Sequence, residues 1–264
     1  MRAKIVGMLA ETFVHPGTGQ NTGAIDLPVA REAATDYPFI AGSSLKGALL
    51  DDYRQRDAEG AKRIFGEQEN AGDLLVSDAR LLLLPVRSLT SAFRWVTCPH
   101  LLERLERDLR RSGVQSGGFA LPEFDPKKAL ARGDGKLFLE ERSFEVAEDV
   151  PKDVVEAVGS LIPHESARTR LEERLTVLHD DDFAWFARYG LAVQARNVLD
   201  ANKKSENLWY EETLPPDTLM YAVLAQRNGK NGTLDGVREK IGAYLQVGGN
   251  ETVGQGWFAL EWRD

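Results

Sequence analysis

The chain has 264 residues with 42% hydrophobic and 28% charged residues, the balance of a soluble globular protein rather than a disordered one. The formal net charge is −8, which argues against a free-standing nucleic-acid binder and leaves room only for a local basic strip. A single cysteine, Cys98, excludes an internal disulfide and fits a reducing cytoplasm, and the longest apolar runs fall far short of a membrane span.

Lys4 to Val14 alternates as a strand. A loop rich in glycine follows, HPGTGQNTGAIDLPVARE from His15 to Glu32, and it presents His15 and Asp26 as an exposed polar pair. A carboxylate there suits deprotonation of a ribose 2′-hydroxyl or retention of a divalent metal beside a phosphate; the plainer alternative is a turn cap with His15 packed on Pro16. Next comes IAGSSLKGALL, Ile40 to Leu50, where Gly42, Ser43 and Ser44 start a helix whose apolar face begins at Leu45, Ala48 and Leu49. Lys46 then falls in the first turn, where the helix dipole disfavours a cation unless an anion is bound. Serine hydroxyls, free amides and Lys46 converge on one phosphate, or else this is an ordinary capped helix with Lys46 in water.

This helix runs to about Arg56, and Ala58 to Phe65 continues it. Leu74 to Val86 is a buried strand closed by Pro85, and Pro99 opens an amphipathic helix whose alternating charges form a solvated face. Ser112 to Gly135 is a long surface loop, and Leu137 to Val146 alternates as one strand. Helical patterns occupy Pro151 to Leu161 and Arg168 to Phe186, with Asp180 to Asp182 as solvated acids. Two strand-like segments flank the polar stretch Asp200 to Asn207, which predicts a projecting hairpin. TLMYAVLAQ is a core strand, Leu234 to Leu245 a helix, and WFALEW the last strand. Between those two lies VGGNETVGQGW, where Gly248, Gly249, Gly254 and Gly256 either bring backbone amides close to a ligand or simply make a tight turn. It leads from helix to strand, the reverse of a mononucleotide fingerprint. No linker divides the chain, so one domain over residues 1–264 is expected. Four scattered histidines and one cysteine exclude a zinc spacing, and no serine-hydrolase motif occurs.

Taken together and in this order, the loop from His15, the PFIAGSSLKGALL segment, SDARLLLLPVRS with FRWVTCPHLL, LWYEETLPPDTLMY and VGGNETVGQGW resemble one family. It is the repeated backbone subunit of the type III-B (Cmr) CRISPR effector complex, within the RAMP superfamily. The resemblance implies an α+β fold with an RRM-like (ferredoxin-like) core, inserted helices and a protruding thumb β-hairpin at roughly residues 193–214. It implies a helical filament of copies along a guide crRNA, together with other Cmr subunits, in the cytoplasm and away from membranes. The G-x-I-D-x-P pattern of Gly23, Ile25, Asp26 and Pro28 matches the family's catalytic aspartate, which cuts target RNA at regular intervals. The family's loop histidine matches His15. Guide RNA binding maps to Ser43, Ser44 and Lys46 and to Gly248, Gly249, Gly254 and Gly256. A weakly held divalent metal, Mg2+ or Mn2+, is implied, and the sequence leaves open whether Asp26 holds it or acts as general base. The alternatives are a non-catalytic RNA-binding filament scaffold and a guide-processing endoribonuclease of the same superfamily.

Overall fold

The computed structural model describes residues 2–19, 23–114, 118–227, 230 and 232–263. The chain begins with β1 (Ala3–Ala10), and β2 (Phe39–Ile40) precedes α1 (Gly42–Arg54) and α2 (Ala58–Phe65). Two short strands, β3 (Gly66–Glu67) and β4 (Asn70–Ala71), lead to β5 (Leu74–Val76), β6 (Ala79–Arg87), β7 (Phe93–Thr97) and α3 (Pro99–Ser112). Then come β8 (Lys128–Ala131), β9 (Lys136–Leu139), β10 (Arg142–Glu148), α4 (Lys152–Gly159) and α5 (Glu165–Arg174). After them run β11 (Leu175–Leu178), α6 (Asp180–Tyr189), β12 (Ala192–Leu199) and β13 (Ser205–Thr213). The chain closes with β14 (Leu219–Gln226), α7 (Thr233–Lys240), β15 (Tyr244–Gln246) and β16 (Trp257–Arg263).

The main sheet has 12 strands among the described residues, with the path β15-β16-β1-β14-β6-β7-β11-β8-β10-β9. Its centre is a β-α-β-β-α-β unit: β1, α1, β6, β14, α7 and β16, with β16, β1, β14 and β6 side by side and all antiparallel. That order is the expected ferredoxin-like one. β1 and β14 are buried along their whole length, because helices cover both faces. Leu45, Leu49 and Tyr53 of α1 and Leu234 and Val237 of α7 fill one face. Leu102, Leu105 and Leu109 of α3 with Val154 and Val158 of α4 fill the other. Each such side chain removed from water contributes about 1.5–3 kcal/mol.

Antiparallel pairing decides where the loops emerge. Ala10 pairs with Phe258 and Leu9 with Leu219, so the end of β1, the start of β16 and the start of β14 lie together. The loop carrying His15 and Asp26, the glycine loop and the base of the β12–β13 hairpin therefore meet at one end of the sheet. The hairpin is a separate two-stranded sheet. Its register runs from Ala192 opposite Thr213 to Leu199 opposite Ser205, which bears out the thumb.

Several expectations are corrected. Leu74 to Val86 is two strands broken at Ser77 and Asp78, and Pro85 sits inside β6 opposite Trp95 rather than ending it. The expected surface loop contains β8, whose Ala129, Leu130 and Ala131 are fully buried; residues 115–117 of that stretch lie outside the described residues. Leu137 to Val146 is a hairpin, β9 and β10, turning through Glu140 at φ 48°. The helix expected over Arg168 to Phe186 is interrupted by the buried strand β11, and the last helix stops at Lys240, before β15.

Acids expected to be solvated are instead hydrogen-bonded within the fold. Asp180 accepts the His100 amide at 3.0 Å and Asp182 the Lys127 amide at 2.8 Å, while Asp181 is exposed. On α3, Asp108 is buried, accepts the Tyr221 hydroxyl at 3.0 Å, and pairs with Arg80 and Arg111. Among the described residues no helix is long and apolar enough to cross a membrane.

Candidate cleavage site and nucleic-acid interface

The polypeptide after β1 does not wander. Val14 pairs with Leu214 through two backbone hydrogen bonds, 3.0 and 2.8 Å. Further on, Leu27 lies parallel to Glu211, its N–H donating to Tyr210 O at 3.1 Å and its carbonyl accepting the Glu212 N–H at 3.0 Å. The loop thus completes the free edge of β13, whose other edge is occupied by β12.

Asp26 is half-buried at this junction, and its Oδ2 accepts the Tyr210 N–H at 2.8 Å. Its Oδ1 has no partner among the described residues. The carboxylate is thus held by the thumb strand through one oxygen, with the other open among the described residues.

His15 is not in an exposed loop as expected: the residue is 8% exposed. Its Nδ1 donates to the Glu212 carbonyl at 2.8 Å, and a carbonyl only accepts, so the ring proton is on Nδ1 and the neutral ring's acceptor is Nε2. A Glu211 carboxylate oxygen stands 3.6 Å from the same nitrogen. His15 also anchors the glycine loop, its carbonyl accepting the Gly249 N–H at 3.0 Å.

Two buried carboxylates that the sequence did not reveal hold these pieces together. Glu212, 4% exposed, accepts the Val29 N–H at 3.0 Å and the Arg31 guanidinium at 2.7 Å. Arg31 also donates to the carbonyls of Asp36 and Ala187, at 2.9 and 2.7 Å, so the buried pair is hydrogen-bonded on both sides. Glu211, 2% exposed, faces the other way, accepts the Asn250 side-chain amide and lies 3.9 Å from Arg196. Consecutive residues of a strand point to opposite faces, so the pair clamps the aspartate loop on one side and the glycine loop on the other.

The glycine loop is held in a single path. Gly248 has φ 95°, and a Cβ there would stand 2.8 Å from the His15 carbonyl oxygen. Gly256 has φ 86°, with the Val247 carbonyl oxygen 2.4 Å from where its Cβ would be. No larger side chain fits either place without moving backbone. Glu251–Val253 makes one 3-10 turn between them, and Gly254 follows in a left-handed conformation.

Between this loop and α1 lies a cleft of about 520 Å3. His15, Ser44, Gly248 and Gly249 line it, so four of the expected residues are brought together. Asp26, Ser43, Lys46, Gly254 and Gly256 are not in its lining. At the helix start the Gly42 N–H donates to Asp78 Oδ1 at 2.7 Å, so a carboxylate already occupies part of the expected anion seat. Ser43 and Ser44 are exposed, and α1 has no acid in its first turn. Lys46 is the fifth helical residue, half-buried, and pairs with no carboxylate among the described residues.

The family model of the RAMP superfamily matches residues 8–259. The chain is 34% identical to the CRISPR system Cmr endoribonuclease Cmr4 of Pyrococcus furiosus, over 97% of this chain and 94% of that one. It is 25% identical to the CRISPR system CMR subunit Cmr4 of Saccharolobus solfataricus, over 96% of this chain and 94% of that one. Among solved structures, oligomeric Cmr4 from Pyrococcus furiosus superposes with a TM-score of 0.80 at 31% identity, covering 100% of this chain and 98% of that one. A chain of the type III-B Cmr-beta complex bound to cognate target RNA shares the fold, with a TM-score of 0.80 at 24% identity over 99% and 97% of the two chains.

Proposed function

The chain belongs to the RAMP superfamily, in its Cmr4 family, and we propose that it cuts guide-paired target RNA beside the thumb through Asp26. It is a type III-B CRISPR backbone subunit and endoribonuclease, working with guide crRNA, copies of itself and other Cmr subunits. The observation that carries the cleavage site is the half-buried Asp26, tied to Tyr210 by one oxygen with the other open. Guide RNA runs over Ser43, Ser44 and Lys46 and over the glycine loop from Gly248 to Gly256, where the exposed serine hydroxyls, the lysine and a backbone bare of side chains at Gly248 and Gly249 meet the sugar–phosphate chain without reading bases.

The thumb parts guide from target and turns one target nucleotide so that its 2′-oxygen lies in line with the P–O5′ bond. Asp26 Oδ1 takes the 2′-hydroxyl proton as the P–O2′ bond forms. The P–O5′ bond breaks, leaving a 2′,3′-cyclic phosphate and a 5′-oxygen that takes a proton from water. His15 is the second member of the site: Nδ1 is fixed on the Glu212 carbonyl, and the ring lines the cleft that meets the strand.

A divalent cation belongs to this reading. Among the described residues no group of three or more His, Cys, Asp or Glu residues is arranged to hold a metal, so a cation would be held by water and phosphate oxygens beside Asp26, whose Oδ1 is kept for the proton. That fits a weakly held, hydrated Mg2+ or Mn2+, whose contribution when bound is neutralisation of phosphate charge. The test is reconstitution with guide and complementary labelled RNA, with and without chelator. Products at a fixed spacing, lost on chelation, support the reading. Uncut target bound by the complex supports a scaffold instead.

A further inference from the structure

Two exposed aromatic side chains at the sheet edge are given no role in the site described above. Tyr244 lies in the edge strand β15 and is 49% exposed, and Trp257 opens β16 and is 39% exposed. The ladder sets Gln246 opposite Trp257 and Tyr244 opposite Ala259, so Tyr244 and Trp257 project from one face on a diagonal. Diagonal neighbours stand about 7–8 Å apart, within reach of aromatic rings. Leu245 and Phe258, pointing the other way, are buried in the core.

The backbone under Trp257 is fixed. Its N–H donates to Thr12 Oγ1 at 3.1 Å, and its carbonyl accepts the Glu11 N–H at 2.8 Å. Gln246, across from it, donates its side-chain amide to the Gly248 and Gln255 carbonyls, each at 3.2 Å, which closes the neck of the glycine loop. Trp257 therefore stands at the wall of the same cleft that holds Ser44, Gly248 and Gly249. That cleft is also lined by Asp51, Asp52 and Glu251, which repel phosphate. A strand whose backbone sits at Ser44 and the glycine loop must present its uncharged parts to the remaining wall, and there the aromatic pair begins.

We propose that Tyr244 and Trp257 form a stacking platform for bases of the single-stranded RNA held at the glycine loop. This rests on the guide-binding role given above to that loop. Stacking on aromatic rings tolerates any base, because every base has a π-face. Such a platform adds affinity without sequence preference, as a guide of changing sequence demands.

The experiment measures binding of the full chain to a short labelled oligoadenylate and to an abasic strand of the same length. The wild-type chain binds the base-bearing strand more tightly. Trp257→Ala weakens that binding about tenfold and Tyr244→Ala by a similar factor, while Trp257→Phe keeps most of it. None of them changes abasic binding or the salt dependence, since no phosphate contact is lost. Equal loss on both probes, or unchanged binding to both with altered self-association, overturns the platform. Equal wild-type affinity for the two strands overturns it and leaves the guide-binding reading standing, whereas wild-type binding to neither overturns both.

Discussion

Asp26 and Tyr210, 184 positions apart in sequence, are joined by a 2.8 Å hydrogen bond from the Tyr210 backbone amide to Asp26 Oδ2. The loop that carries Asp26 is thereby an added strand on the β12–β13 hairpin. Asp26→Asn keeps an acceptor for that amide, and Asp26→Ala does not. The alanine variant should lose about 1 kcal/mol of stability relative to the asparagine variant, read by urea denaturation. Equal stability of the two would mean that the tether carries no weight.

Glu212 holds the aspartate loop through the Val29 amide and Arg31, so removing its carboxylate leaves both without it. Glu212→Ala should destabilise the fold by about 3 kcal/mol, the range for breaking a buried pair by one partner. Glu212→Gln, which keeps an acceptor for Val29, should lose distinctly less. Denaturation midpoints of the three proteins decide it, and a neutral alanine variant contradicts the clamp.

Lys46 has no carboxylate partner among the described residues and stands near the start of α1. Lys46→Ala should weaken guide binding equally for all guide sequences and flatten the log–log salt slope by about 0.7. An unchanged slope would place Lys46 off the RNA path.

The thumb tip is narrower than its polar sequence implied. The turn spans 200–204, with Asp200 Oδ1 accepting the Asn202 and Lys204 amides at 2.8 Å each, and Ser205 already belongs to β13. Replacing Asp200 to Lys204 by a two-residue Asn-Gly turn should preserve folding and reduce target cleavage. Cutting at the wild-type rate and positions would remove the tip from the mechanism.

Acid sensitivity should include Glu32. Burial opposes its ionisation, but hydrogen bonds from Arg104 and Thr35 and the Arg104 charge outweigh that and hold its carboxyl below the ordinary value. A depressed native pKa means that the unfolded state binds the proton more readily. The stabilisation is therefore present above the unfolded carboxylate's titration and is lost as pH falls through the native one. Glu32→Gln should be less stable than wild type at neutral pH, with the gap closing in acid. A gap that persists unchanged at low pH would mean the effect is not charge.

The sequence exposed what depends on local pattern. Local pattern marked β1, β14 and β16 as strands, the Gly-Ser-Ser start of α1 and a projecting hairpin, while the ferredoxin-like arrangement was implied by the family resemblance. The strands β8 and β11 were hidden because each has four residues, buried on both faces, and one lies in a polar stretch and the other inside a helical period. Asp26 was visible through its glycine-rich surroundings. Glu211, Glu212 and Arg31 were not, since charged residues in a strand or loop look solvated until partners distant in sequence bury them. The burial of His15 was hidden for the same reason, since Glu212 and the glycine loop, distant in sequence, close over it together with nearby Gly17.

Under the proposed function Asp26 performs the cut, so removing its charge alone should abolish cleavage. The direct measurement is a cleavage time course on labelled complementary RNA by complex reconstituted with Asp26→Asn, alongside target binding by the same complex. The account predicts target bound as tightly as by wild type, with no product at any of the regular positions. Product at those positions at the wild-type rate would contradict it.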